Sequence, residues 1–281
     1  MKIDAILSPA ELPALAERDL RGTACVVFDV LRATSTFATA LHNGAKAIIP
    51  VGEISEAIAF KKKQPDVLLG GERDGIRISS NGIDFDLGNS PREYTPEKVR
   101  GKTIVSTTTN GTRALRACAS AQTILAASFL NLGATAEFLR AKNFQDILLV
   151  CAGTRENKAD EDVLAAGALC ELLLNESFDQ NPKVGRAVPC PPPDVASDSL
   201  RLQSSDGAHG VTRPTLSDSA EITRRDYARA KSDLSATVCD SENGRRLLAI
   251  PELRDDVAFC LQRDICPLIA KMESDGAIRQ G

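Results

Sequence analysis

The sequence predicts an α/β protein: a three-layer α/β/α sandwich on a largely parallel or mixed sheet, with C-terminal helices packing back on it. Three observations lead there. Short β-branched runs alternate with helix-period segments through the first 175 residues, the pattern of successive βαβ units. Of the 281 residues, 43% are hydrophobic and 26% charged, enough apolar material for a sizeable core. The last 60 or so residues place apolar side chains at helical spacing and offer few strand candidates.

Taken in order, Ala24 to Phe28 is the first clear strand, and a helix follows from about Thr34 to Asn43. Ala47 to Val51 is the next strand. Ile54, Ala57 and Ile58 then mark one helical face that ends in Lys61, Lys62 and Lys63, a basic run suited to a helix C-terminus. Val67 to Leu69 is a strand broken by Gly70 and Gly71. The pattern returns with a strand at Thr103 to Ser106, a helix from about Asn110 to Ala119 and a strand at Thr123 to Ala127. Asn131 is placed to cap a helix carrying Ala134, Phe138 and Leu139. Ile147 to Cys151 is the last clear strand of this half, and the helix from about Asp160 to Leu174 is apolar almost all round, which marks it as buried.

Residues 176 to 220 hold six of the 14 prolines, with many Ser and Asp, and read as a polar insertion or disordered loop. Beyond them, Tyr227, Ala230 and Leu234, then Leu253, Val257, Cys260 and Leu261, sit at helical spacing. The whole chain, 1 to 281, is expected to form a single domain.

Charge narrows the partners. Lys plus Arg total 34 against 38 Asp plus Glu, for a net charge of -4. Such a chain has no basic field to hold a nucleic acid. No run reaches the ~18 uninterrupted apolar residues of a membrane span, and no secretory leader is visible at the start, so a cytoplasmic protein is expected. A homo-oligomer is compatible with this composition. The eight cysteines lack any Cys-x-x-Cys pair and are expected as free thiols. With two histidines, His42 and His209, a His-rich metal site or a Ser-His-Asp triad is poorly supplied.

In an open α/β sheet, ligands bind where strands end and helices begin. Three such crossings carry polar clusters: Asp29 to Thr36, Ser106 to Arg113, and Cys151 to Thr154 running on to Asp160, Glu161 and Asp162. A fourth, Gly70-Gly71-Glu72-Arg73, follows a strand with no long helix behind it. Hydroxyls and an Asn at a helix start, with an Arg nearby, suit a tetrahedral oxyanion such as phosphate or sulfonate. Ordinary N-capping explains one such cluster; two, each with its own Arg (Arg32, Arg113), favour an anion site. The carboxylates Asp29, Glu72, Glu161 and Asp162 are the candidates for a Mg²⁺ ion, which takes a few carboxylates and keeps waters.

Familiar phosphate devices fail. A P-loop ending at Gly101-Lys102-Thr103 would need glycine where Pro96 stands, and no Gly-x-Gly-x-x-Gly follows a strand. An aspartyl-phosphate route through Asp29 lacks its usual second acid, because Leu31 occupies that position.

Across these same segments the chain resembles the 2-phosphosulfolactate phosphatase family. The resemblance is carried by Val27-Phe28-Asp29-Val30-Leu31-Arg32-Ala33-Thr34-Ser35-Thr36, Leu69-Gly70-Gly71-Glu72-Arg73 and Phe85-Asp86-Leu87-Gly88-Asn89-Ser90-Pro91. It continues through Thr107-Thr108-Thr109-Asn110-Gly111-Thr112-Arg113-Ala114-Leu115, Ser128-Phe129-Leu130-Asn131, Val150-Cys151-Ala152-Gly153-Thr154 and Glu161-Asp162. Weaker echoes stand at Asp218-Ser219-Ala220, Ser241-Glu242-Asn243-Gly244-Arg245 and Asp255-Asp256-Val257. The run Ile78 to Asp84, the Pro-rich stretch and Arg155 to Lys158 depart from the family pattern.

The resemblance implies an α/β/α sandwich and a Mg²⁺-dependent phosphatase that converts 2-phospho-3-sulfolactate, a small anionic phosphoester, to 3-sulfolactate and phosphate. Joined to the residue reading, it gives a set of expectations. Asp29, Glu72 and Asp162 hold Mg²⁺, with Glu161 as substitute for Asp162. Arg32 and Arg113 neutralise phosphate and sulfonate, and truncating Arg113 should cost orders of magnitude in turnover. Thr34, Ser35, Thr109, Asn110 and Gly111 donate hydrogen bonds from helix starts, and Asn89 and Ser90 line the pocket. The nucleophile is water or Asp29, with water preferred. The rival is a catalytically silent anion-binding or sensor protein on the same fold.

Overall fold

A computed structural model of the chain describes residues 1–80, 82–175 and 214–281. Its strands are β1 (Lys2–Ile6), β2 (Thr23–Phe28), β3 (Ala47–Pro50), β4 (Leu68–Arg73), β5 (Ile76–Arg77), β6 (Ser79–Ser80), β7 (Ile83–Asp84), β8 (Thr103–Thr107), β9 (Thr123–Ala127), β10 (Asp146–Cys151), β11 (Thr215–Leu216), β12 (Ala270–Met272) and β13 (Ile278–Gln280). The helices are α1 (Ala33–His42), α2 (Ile54–Lys63), α3 (Pro96–Val99), α4 (Gly111–Ala117), α5 (Leu132–Lys142), α6 (Asp160–Leu174), α7 (Asp218–Ala230), α8 (Leu234–Cys239), α9 (Glu242–Leu248) and α10 (Arg254–Cys260).

One large mixed sheet runs in the order β11-β1-β10-β2-β9-β12-β13-β3-β8-β4-β5. Pairing is parallel from β11 to β9 and again from β3 through β8 to β4. Strand β2 is buried along its whole length, so its β-branched run serves both faces. Side chains alternate across a strand: Ala24, Val26 and Phe28 join Ile147 and Leu149 in a core with α5 and α6. Cys25 and Val27 join Leu148 and Val150 in a second core with α1 and α4. Two cores on opposite faces make the predicted three layers, and the all-round apolar α6 is buried as its composition requires.

The C-terminal residues pack helices against this body as expected, but they also end in a hairpin where few strands are expected. Strands β12 and β13 lie antiparallel in the middle of the sheet, joining the two parallel halves. The connection between them runs from Glu273 to Ala277, with Gly276 N donating to Glu273 O at 2.9 Å and Gly276 at φ 79°, a left-handed conformation that glycine adopts without strain. The helix expected after Asn131 is α5, and Asn131 is its N-cap residue. Its side chain, however, bonds to Ser128 N and Ala126 O rather than capping. Of the expected insertion, 176–213 lies outside the described residues. From 214 onward the chain supplies β11, which pairs with β1, and the start of α7.

Candidate active site

The carboxyl ends of β2, β4, β8 and β10 open onto one cleft. It is lined by Asp29, Leu31, Arg32, Glu72, Asp74, Gly75, Asn89, Thr109, Asn110, Gly153, Thr154, Arg155, Asn243 and Arg246. This is where parallel strands direct ligands, because the following helices start there with unpaired N–H groups. Four sequence-predicted crossings therefore meet, and they are braced to one another by short hydrogen bonds.

Glu72 ends β4 and is buried. Its Oε1 accepts from Thr109 N at 2.9 Å and Thr109 Oγ1 at 3.0 Å, and its Oε2 accepts from Gly75 N at 2.7 Å. Asp29 follows β2, and its Oδ1 accepts from Ala33 N at 3.1 Å. Its carboxyl is pushed up to about 6, first by burial and then by the nearby charges of Glu72 and Glu161, against the Ala33 N–H. Gly111 lies under it: a Cβ there would sit 2.7 Å from Asp29 Oδ2. Only glycine at the start of α4 lets that carboxylate keep its place.

The other expected metal ligands sit differently. Asp162 is fully buried and accepts from Val30 N at 2.8 Å and Gly153 N at 2.9 Å, one bond per oxygen. It ties the β2 loop to the β10 loop and does not line the cleft. Burial, and then the charges of Glu161 and Asp29, push its pKa well above the ordinary carboxylate value. Glu161 lies behind Asn243, whose Nδ2 donates to its Oε1 at 2.6 Å and to Thr154 Oγ1 at 2.5 Å. Among the described residues no group of three His, Cys, Asp or Glu side chains is gathered to hold a metal ion. The four-carboxylate set expected from sequence does not converge; Asp29 and Glu72 are the two of it that face the cleft.

Those two suit a hydrated divalent cation, since Mg²⁺ is often held by one or two carboxylates with substrate phosphate and water completing the shell. The surroundings fit: Asn89 Oδ1, Asn243 Oδ1 and Glu161 Oε2 are buried acceptors with no partner among the described residues, ready for water donors.

The two arginines also part company. Arg32 lines the cleft with its side chain buried, but Nη1 donates to Asp256 Oδ2 at 2.8 Å and Nη2 to Gly75 O at 2.7 Å. Asp256, on α10, also accepts from Ser90 Oγ at 2.7 Å, so Ser90 supports the Arg32 pair from below. Arg113 lies outside the cleft, 43% exposed, and pairs with Glu156 at 2.9 Å. It points from the solvent side of α4, so a helix-start position did not bring its side chain inward.

Of the expected hydrogen-bond donors, Thr109 and Asn110 line the cleft, with Asn110 Nδ2 donating to Gly153 O at 2.9 Å. Thr34 and Ser35 are fully buried; Thr34 Oγ1 accepts from Asp29 N and Ser35 Oγ donates to Val30 O. Both shape the β2–α1 turn. Asn89 lines the cleft, and its carbonyl accepts from Thr36 Oγ1 at 2.7 Å. Sequence reasoning gave no role to Arg155, Asn243 or Arg246. The signal available for the last two was a polar pair at i, i+3 on an otherwise apolar helix face.

A family model described as 2-phosphosulpholactate phosphatase matches residues 10–275. A Thermotoga petrophila protein named probable 2-phosphosulfolactate phosphatase is 54% identical over 240 residues, 85% of each chain. A Clostridium acetobutylicum protein of the same name is 32% identical over 270 residues, 96% of each chain. A third, from Caldanaerobacter subterraneus, is 48% identical over 162 residues, and that match spans 65% of its own length. The match takes in β2, β4, β8, β10 and the C-terminal helices that frame the cleft. With this coverage, the chain belongs to the 2-phosphosulpholactate phosphatase family, a family of phosphoric monoester hydrolases.

Proposed function

We propose that the chain is a cytoplasmic, Mg²⁺-dependent phosphatase acting as a single domain on 2-phospho-3-sulfolactate. The relatives' names supply that substrate. The observation that carries the reading is the pairing, in one cleft, of the strand-end carboxylates Asp29 and Glu72, with Asp74 beside them, and three arginines, Arg32, Arg155 and Arg246. Anion binding alone gains nothing from acids beside the arginines, whereas phosphoryl transfer uses both.

In this reading the phosphoryl group lies against Asp29 and Glu72, with Arg32 held rigid by Asp256 at its edge. Mg²⁺ held by the two carboxylates supplies charge neutralisation for the phosphoryl oxygens. Asp29 uses Oδ1 to accept from Ala33 N, which leaves Oδ2 to take a proton from an attacking water. That water's oxygen bonds to phosphorus, the ester P–O bond breaks, and the leaving alkoxide of sulfolactate takes up the proton that Asp29 accepted. Water is preferred over Asp29 as nucleophile because Leu31, an apolar residue, stands where a partner acid would be.

The experiment is phosphate release by the purified protein from 2-phosphosulfolactate and from 2-phospholactate, with Mg²⁺ and with EDTA. Metal-dependent release that prefers the sulfonate is expected. No release by the folded protein, with 3-sulfolactate binding that ignores Mg²⁺, would replace the phosphatase with an anion-binding protein.

A further inference from the structure

We propose that Arg246, on the C-terminal helix α9, holds a non-reacting anionic group of the substrate and so sets specificity for polyanionic phosphoesters. This rests on the phosphatase reading for the identity of the substrate, though not for the existence of the subsite.

The argument begins with charge. Three arginines line the cleft. Arg32 is neutralised by Asp256. Arg246 has no ion pair or hydrogen bond among the described residues, and its Nε is buried without a partner. A buried guanidinium N–H left unpaired loses its hydration for nothing in return, so such a group marks a place that a ligand completes. A guanidinium offers its N–H groups as a fork that matches sulfonate and carboxylate oxygens two at a time.

The neighbours point the same way. Among the described residues, the buried side-chain polar atoms without partners are Asn89 Oδ1, Glu161 Oε2, Asn243 Oδ1 and Arg246 Nε. Asn89, Asn243 and Arg246 line this cleft, and Glu161 is bonded to Asn243. Unsatisfied polarity is thus confined to one place. Asn243 is buried and locked by Thr154 and Glu161, and Arg246 stands one helical turn further along the same face of α9. The α9 wall is separate from the strand ends that carry Asp29 and Glu72. A substrate with its phosphoryl group at the strand ends would therefore present its other anionic groups to Arg246.

Calorimetry of 3-sulfolactate binding to the full chain tests this without turnover. Arg246→Gln should weaken binding by roughly tenfold to a hundredfold, the scale of a lost charge-assisted pair, and Arg246→Lys should recover part of it. Arg116→Gln removes the same charge from an exposed pair with Glu56 and should leave the affinity within about twofold. Lactate and isethionate, each with one of the two anionic groups, identify which one Arg246 holds by which of them loses affinity. Unchanged 3-sulfolactate affinity in folded Arg246→Gln would overturn the proposal, as would an equal loss in Arg116→Gln. A wild-type protein that binds 3-sulfolactate through Arg246 but releases no phosphate would sink the phosphatase reading and leave the subsite standing.

Discussion

The two walls of the cleft differ in origin and in chemistry. One is made of strand ends from the first half of the chain and presents Asp29 and Glu72, bound into place by backbone N–H groups and Thr109. The other is made of short C-terminal helices and presents Asn243 and Arg246, with Asp256 reaching beneath to hold Arg32. The first wall is like-charged and its carboxylates are hydrogen-bonded; the second carries Asn243 Oδ1 and Arg246 Nε, two of the four buried side-chain polar atoms without a partner among the described residues. The contrast teaches that reaction and recognition are divided between distant parts of the sequence. Stored like-charge repulsion belongs to the reacting side.

The largest effect should come from the reacting wall. Asp29→Asn is expected to lower kcat by about 10³-fold or more, the scale of removing a group used for metal binding and proton transfer. The same change should stabilise the protein. Because the folded carboxyl lies near 6 and the ordinary value is 3.8, the native state holds its proton over a window where the unfolded chain has released it. Stability is therefore lost as pH rises through that window, and at pH 7 the charged Asp29 is a liability. Asp29→Asn should then be more stable at pH 7 by about 1–2 kcal/mol, discounting for the partial exposure of the site. Chemical denaturation beside the rate assay checks both; a destabilised variant would mean that the repulsion is not there.

Next in size is the strut between the walls. Asp256→Ala leaves the buried Arg32 guanidinium without its carboxylate and should cost about 3–5 kcal/mol in urea unfolding. A loss below about 1 kcal/mol would show that Arg32 is supported elsewhere. Gly111→Ala forces a Cβ to within 2.7 Å of Asp29 Oδ2 and 2.8 Å of Ala33 Cβ. Misplacing the carboxylate should lower kcat roughly tenfold to a hundredfold, with a far smaller effect on 3-sulfolactate affinity; unchanged kinetics would detach Asp29 from the chemistry. The smallest effect belongs to Arg113→Ala. Its pair with Glu156 is solvent-exposed, so stability should change by less than about 1 kcal/mol and turnover by no more than about threefold. A loss of several orders of magnitude would restore the sequence-based expectation for that residue.

The sequence disclosed the first wall far better than the second. Strands such as β2 and β9 are continuous apolar runs buried on both faces, and Asp29 is conspicuous because it ends such a run. Glu72 is legible from the Gly70-Gly71-Glu72-Arg73 crossing that follows a short apolar strand. Roles within the wall were harder. Whether Asp162 faces a ligand or a backbone N–H depends on where the β2 and β10 loops meet, and the Val30 N–H that it binds is 132 residues away in sequence. Arg113 and Arg32 both follow strand ends, yet a helix start fixes only the backbone, and the turn of the helix sends Arg113 to solvent. The second wall was faint because α8, α9 and α10 are each seven residues or fewer, too short for periodicity to reveal a face. The β12–β13 hairpin is faint for a similar reason: its strands are three residues each, and the Asp275-Gly276 pair in its connection is the available sign.

The division of labour can be tested directly by measuring kcat and KM for Asp29→Asn and Arg246→Gln side by side on 2-phosphosulfolactate with saturating Mg²⁺. The account predicts that Asp29→Asn loses kcat while Arg246→Gln mainly raises KM, as expected when the lost interaction serves ground and transition states alike. If Arg246→Gln instead lost kcat as severely as Asp29→Asn with KM unchanged, or if Asp29→Asn turned over normally, the assignment of reaction to one wall and recognition to the other would be contradicted.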